Sequence, residues 1–218
     1  MITLAEENYL KAILSIALNE DGKASTNAIA KEIRTSAASV SDMLKKLQDK
    51  KMIKYEKYKG VELSKIGKRK AINILRKHRL WETFLVKKLG FNWGEVHDLA
   101  EQLEHIKSEK LIDRLDSFLE HPKLDPHGEP IPTKEGQIPS TNTTALNELQ
   151  VGIKGKVVGV TLDEKTFLDY LTQLNINLGT SIELVSKISF DKSLSIKIEK
   201  QSQHISNDVA KHLLIKTK

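Results

Sequence analysis

His97, Glu101, Glu104 and His105 fall within the nine residues "HDLAEQLEH", and "HRLWE" sets His78 four positions before Glu82. Residues at i and i+4 share one face of a helix, and each step advances about 100°, so the first four groups occupy an arc of roughly 100°. Imidazoles and carboxylates gathered on one face are ligands for manganese, ferrous iron, cobalt or zinc, and no sulfur joins them. The loop segment "DPHG" adds Asp125 and His127. The same spacing also arises on the solvated face of an amphipathic helix, as exposed i,i+4 pairs. A metal-dependent hydrolase is a further class that uses His/Glu clusters. Nothing in the chain supplies a general base in a defined motif, which weighs against an enzyme. From the residues alone, a metal site and a solvated face both stay open.

Those side chains need elements to hold them. All five prolines lie within "HPKLDPHGEPIPTKEGQIP", residues 121–139. Proline lacks the backbone donor and fixes φ, so this stretch is an ordered loop leading into a linker, roughly residues 133–148. Before it the apolar spacing is helical. Tyr9, Ile13, Ile16 and Ala17 mark a first helix, and "STNAIAKEI" opens a second on good N-cap residues. "AASVSDMLKKLQDKKMI" turns Val40, Met43, Leu44 and Leu47 inward. Two short helices joined by "RTS" read as a helix-turn-helix. The stretch "MIKYEKYKGVELSKIGKR" reads as two short strands around Lys59-Gly60, the wing of a winged helix. "KAINILRKHRLWETFLVKKLG" is a long helix ending at Gly90, followed by helices over "WGEVHDLAEQLEHI" and "SEKLIDRLDSFLEH". Leu75, Leu80, Trp81, Phe84, Leu85 and Leu89 are too many apolar positions for one solvated helix, and they predict a packed interface. After the linker, "GKVVGVTL", "TSIELVSKI" and "LSIKIEK" alternate as short strands of a small β-barrel, with "EKTFLDYLTQL" as an inserted helix. The expected fold is mainly α with a smaller β part. Its domains are a winged helix-turn-helix at 1–66, a helical metal-binding and dimerisation domain at 67–140, and a small barrel at 148–218.

The second helix of the helix-turn-helix starts with Ser36, Ala38, Ser39, Ser41 and Asp42. Small and hydroxyl side chains allow close approach to a major groove, where they can meet phosphate oxygens and thymine methyls. Lys45, Lys57 and Lys59 add phosphate neutralisation along the helix and wing. No Arg or Gln at the start of this helix offers a bidentate base contact, so specificity rests on DNA shape and dimer spacing. A net charge of +6 fits an anionic partner. The chain has no cysteine, which excludes disulfides, thiolate zinc sites and cysteine nucleophiles and fits a reducing cytoplasm. The first residues carry no basic leader, and charge interrupts their apolar positions, so neither a signal peptide nor a membrane span is expected. A winged-helix regulator governed by some other small ligand is the alternative reading of this half.

On "KHRLWETFL", "VHDLAEQLEH", "HPKLDPHGEPIP" and the wing-like "YEKYKGVELSKIGK", the chain resembles the metal-dependent repressors that include the diphtheria toxin repressor and the manganese transport regulator. The resemblance runs the length of the chain and implies a C-terminal barrel like that of ferrous iron transport protein A. It implies a homodimer that binds palindromic operator DNA when metal is bound, at genes for metal uptake. It places Glu101, Glu104 and His105 in a primary regulatory site, with His78 and Asn8 contributing. It places Glu82, Asp125 and His127 in a second site, with His97 and an acid of the barrel, Asp163 or Glu164, of which Glu164 is taken. Glu101 stands where iron-sensing members carry cysteine, so Mn2+ is expected first and Fe2+ next. Two positions depart from the manganese sensors: Asn8 replaces an aspartate, and Lys11 stands where two-domain members have a glutamate ligand.

Overall fold

The structure, a computed structural model, describes residues 2–19, 23–56 and 60–217. The chain divides into two compact units. One comprises Met1–His78, Gln102–Ser108 and Pro132–Gln137, and the other Arg79–Glu101, Glu109–Ile131 and Ile138–Lys218.

In the first unit, α1 (Leu4–Asn19) begins with a capping box. Thr3 N–H donates to Glu6 Oε2 at 2.8 Å, and Glu6 N–H donates back to Thr3 Oγ1 at 3.3 Å. Ser25 caps α2 (Thr26–Glu32) by accepting from Ala28 N–H. The chain then reverses through Arg34, whose φ of +56° closes the turn. Ser36 caps α3 (Ala37–Asp49), which buries Val40, Leu44 and Leu47 at i, i+4 and i+7. Each such side chain contributes roughly 1.5–3 kcal/mol on leaving water. β1 (Ile53–Glu56) and β2 (Gly60–Leu63) pair antiparallel from Ile53 with Leu63 to Glu56 with Gly60. Ala24 bridges to Val61 and extends this wing sheet by one residue. The expected helix-turn-helix and wing are therefore present, although Lys57 and Lys59 lie outside the described residues. Ser64 Oγ then accepts from Gly67 N–H at the start of α4 (Lys65–Leu89). A side chain at Gly67 would meet the Met52 carbonyl, so this corner admits only glycine.

In the second unit, α4 continues to Leu89 and ends at Gly90, φ +72°. The helix expected over "WGEVHDLAEQLEHI" is shorter: α5 covers only His97–Leu103. Asn92 Oδ1 accepts from Gly94 N–H and holds a turn there, while Trp93 enters the core beneath the sheet. Burial of that indole outweighs the helical pattern around it. α6 (Glu109–Phe118) follows. The remaining strands are β3 (Thr144–Ala145), β4 (Lys154–Val160), β5 (Ser181–Lys187), β6 (Leu194–Ile198), β7 (Gln201–Ile205) and β8 (Leu213–Thr217). Two helices interrupt them, α7 (Lys165–Gln173) and α8 (Asn207–Ala210). The sheet is antiparallel throughout in the order β3-β8-β4-β5-β6-β7, with a bulge in β4 between Val157 and Gly159. Its core is Val157, Ile182, Leu184, Leu194, Ile196 and Ile215 packed on Leu168 and Leu171 of α7 and on Trp93.

Candidate metal centres and nucleic-acid interface

α5 ends at Leu103, so Glu104 and His105 leave the helix and form the turn that follows it. The arc drawn from "HDLAEQLEH" therefore splits in two. His97 and Glu101 stay on α5 as a half-exposed pair, 3.7 Å apart. Glu104 is 0 % exposed, which rules out a solvated face for this acid. Its Oε2 accepts from His78 Nδ1 at 2.6 Å and from Lys11 Nζ at 2.7 Å, while its Oε1 is buried without a hydrogen-bond partner among the described residues. His105 Nδ1 lies 2.7 Å from Glu7 Oε2 on α1. A carboxylate only accepts, so Nδ1 donates this bond and Nε2 is the nitrogen left to ligate a metal, the arrangement that orients a metal-ligating histidine. Asn8 Oδ1, one residue along α1, is likewise buried and unpartnered. Buried polar atoms normally find partners. An oxygen of Glu104, an oxygen of Asn8 and a nitrogen of His105 are donors of the kind that a divalent cation of hard character takes. Of the expected primary set, His78 and Glu104 are hydrogen-bonded to each other, and His105 is hydrogen-bonded to Glu7. Glu101 instead has its ion pair with His97.

The second group lies in the other unit. Glu82, Asp125 and His127 are all buried, and one ligand atom from each falls within 4.8 Å of the others. The loop carrying Asp125 and His127 is built locally. Asp125 Oδ1 accepts from the N–H groups of His127 and Glu129, and Leu124 bridges to Pro130. Gly128 has φ +84°, and a side chain there would run into the Val158 carbonyl. The His127 carbonyl accepts from Val160 N–H and anchors the loop to β4. His127 Nε2 lies 2.9 Å from the Trp93 carbonyl, which can only accept, so Nε2 is the protonated nitrogen. Nδ1 faces Glu82 Oε1 at 3.7 Å. Trp93 also stacks on the imidazole at 6.3 Å, a positioning role that the sequence pattern did not reveal.

Electrostatics in this cluster favour a cation. Burial, then the charges of Glu82 and Glu129, push the Asp125 carboxyl up to about 7, against the opposing pull of Arg79. Burial pulls His127 down, but Glu82 and Asp125 more than offset it and leave the imidazole raised. Arg79 Nη2 donates to Glu129 at 2.6 Å and Nη1 to the Pro130 carbonyl, while Nε stands 3.5 Å from Asp125 Oδ2. His97 Nδ1 is 3.8 Å from Glu82 and 3.4 Å from Asp163. Of the two barrel acids, Asp163 is therefore the one beside His97. Glu164 is the exposed N-cap of α7, and its carbonyl accepts from Phe167 and Leu168. Starting a helix fixes the Glu164 backbone there and leaves its side chain in solvent.

On α3, Ser36, Ala38, Ser39 and Asp42 are exposed, and Ser41 is half-buried. Ser36 Oγ accepts from Ser39 N–H and bonds the Ser39 hydroxyl at 2.9 Å, while Ser41 Oγ donates to the Ala37 carbonyl. Lys45 pairs with Asp42 at 3.3 Å, both well exposed. Lys50 at the helix end binds the buried Glu6 carboxylate at 2.7 and 2.9 Å. It ties α3 to α1 and is not a free phosphate contact. Among the described residues, no helix is long and apolar enough to cross a membrane.

Three family descriptions match the chain in order. They are the iron dependent repressor N-terminal DNA binding domain at 1–61, the iron dependent repressor metal binding and dimerisation domain at 64–133, and the FeoA domain at 144–217. The iron-dependent repressor IdeR of Mycobacterium tuberculosis is 33% identical over 178 residues, covering 77% of this chain and 76% of the relative. The diphtheria toxin repressor of Corynebacterium glutamicum is 28% identical over 193 residues, 83% of each chain. Among solved structures, a manganese-dependent transcriptional repressor in complex with manganese superposes with a TM-score of 0.89 at 31% identity. It spans 98% of this chain and 100% of that one.

Proposed function

Because the chain belongs to the iron-dependent repressor family, we propose that this metal-dependent transcriptional repressor answers to Mn2+ before Fe2+ and binds palindromic operators of metal-uptake genes in the cytoplasm as a homodimer. Family membership makes it a DNA-binding regulator and not an enzyme. We assign DNA reading to residues 1–66, metal binding and dimerisation to 67–140, and the FeoA-like module to 148–218.

The observation that carries this reading is the buried meeting of α1 with the turn after α5. Glu104, His105 and Asn8 there present a carboxylate oxygen, an oriented imidazole nitrogen and an amide oxygen. These are the residues that would hold the regulatory cation, with His78 bonded to Glu104 beside them. A divalent cation bound there would supply the positive charge that balances the Glu104 carboxylate. The chain's own part is to keep one geometry between α1, which carries the helix-turn-helix behind it, and the 104–105 turn. Glu7 holds the His105 ring, and Glu6 holds Lys50 at the end of α3. In a dimer the two α3 helices would then meet successive major grooves, ~34 Å apart. Coupling of metal to DNA arises only from tighter binding to that arrangement, typically ~1–3 kcal/mol. Exposed Phe118 and Leu111 on α6, with Phe84 packed on Phe118 at 6.3 Å, support this face as the dimer contact.

The absence of cysteine and the oxygen-rich donor set support manganese over softer metals. Glu82, Asp125 and His127, joined by His97 and Asp163, form the proposed second site. Ser36, Ala38, Ser39, Ser41, Asp42 and Lys45 are the proposed DNA contacts. The test is retardation of upstream genomic DNA titrated with Mn2+, Fe2+ and Zn2+. Metal should drive binding in the wild type and not in Glu104→Ala or His105→Ala, while both variants stay dimeric. No retardation at low salt with any metal would overturn the reading.

A further inference from the structure

Lys11 lies on α1, one turn beyond Glu7, and its ammonium enters the same cluster. Nζ sits 2.7 Å from Glu104 Oε2 and 3.4 Å from His78 Nδ1, in a pocket where Glu104 is fully buried and Lys11 almost so. A lysine seldom goes so deep unless it is paired. Here it delivers one positive charge to the carboxylate proposed as a metal ligand. We propose that Lys11 is a tethered cation that competes with the regulatory metal for Glu104 and so sets the concentration at which the repressor responds.

Glu104 has two oxygens: Oε2 is shared by Lys11 and His78, while Oε1 is buried and unpartnered among the described residues. A divalent ion gathering Glu104 with His105 and Asn8 would stand close to the ammonium, and two like charges in a low-dielectric site oppose one another strongly. Lys11 must withdraw as the metal enters, so the same side chain that satisfies Glu104 without metal lowers the affinity for metal. The tether fixes the local concentration of this competitor, so the threshold is built into the chain. A neutral amide at position 8 works in the same direction, since Asn8 adds no negative charge to draw the metal in. The proposal rests on the reading of Glu104 as a regulatory ligand.

The experiment is calorimetric titration of the full chain with Mn2+, in the wild type and in Lys11→Gln, Lys11→Met and Glu104→Ala. Lys11→Gln keeps a hydrogen-bond donor for Glu104 and guards against a misfolded Lys11→Met. Both Lys11 variants should bind Mn2+ roughly tenfold more tightly at the site that Glu104→Ala removes, the order of effect of one opposed like charge. Unchanged or weaker binding in Lys11→Gln, with Glu104→Ala still removing that equivalent, overturns the proposal. If Glu104→Ala removes no equivalent, the ligand assignment itself fails, and the two failures are distinct. In the wild type, amine acetylation read by mass spectrometry should find Lys11 protected without metal and labelled at saturating Mn2+. Protection that persists at saturation overturns displacement of the ammonium.

Discussion

Around Glu104 the chain places a lysine ammonium, whereas around Glu82 it places two histidines and a second buried carboxyl. Lys11 and His78 converge on one oxygen of Glu104. Glu82 meets Asp125, a second buried carboxyl, with His127 between them and Arg79 no closer than 3.5 Å to Asp125. Both clusters use the same side-chain types. They differ in how charge is balanced without metal: the first by a lysine that a metal would have to oppose, the second by keeping Asp125 protonated up to about 7. A buried acid therefore does not by itself forecast tight metal binding, because its companion decides what the metal must displace.

Removal of Glu104 has the largest expected effect. Glu104→Ala leaves the Lys11 ammonium buried without its carboxylate and should cost of order 3–5 kcal/mol in denaturant unfolding, as loss of one partner of a buried pair does. A loss under about 1 kcal/mol would mean that Lys11 escapes to water and that the cluster is loosely held.

The second cluster should break independently at its loop. Gly128→Ala forces a Cβ onto the Val158 carbonyl at a positive φ and should cost roughly 2–4 kcal/mol. It should also remove one equivalent of bound Mn2+ without altering the equivalent that depends on Glu104. Loss of both equivalents would show that the clusters are not separable.

Asp125 sharpens the contrast through pH. Its carboxyl holds its proton up to about 7 in the folded chain, against an ordinary 3.8. Between those values the unfolded chain has released a proton that the native state keeps, so stability falls as pH rises through the window and levels off above it. Asp125→Asn should flatten that slope and stabilise the metal-free chain by roughly 1–2 kcal/mol above pH 7. Unfolding curves at several pH values measure it, and an unchanged slope would assign the charge balance to another group.

The smallest effect lies away from both clusters. Ser36→Ala removes the N-cap of α3 and should cost about 1 kcal/mol. Metal affinity should be untouched while operator binding weakens, as read by titration of each in turn.

Much of the architecture was legible because local patterns carry it. Ser25 and Ser36 mark helix starts, Val40, Leu44 and Leu47 keep helical spacing, Gly90 ends α4, and alternation marks the strands after the linker. The length of α5 was not legible, because Trp93 leaves its helical pattern to join a core made of residues far along the chain. Nor was the choice between Asp163 and Glu164. Adjacent residues have nearly equal claims in sequence, and only the start of α7 separates them.

By itself the sequence determined the order of elements and the supply of ligands, since periodicity, caps and the absence of cysteine are properties of the chain read locally. Tertiary structure decided which charges meet. Glu104 leaves its helix to be buried against Lys11, His105 is turned by Glu7, and His127 is oriented by the Trp93 carbonyl. These contacts join residues 34 to 98 positions apart. Packing of distant apolar faces, not local spacing, brings such groups within a hydrogen bond of one another.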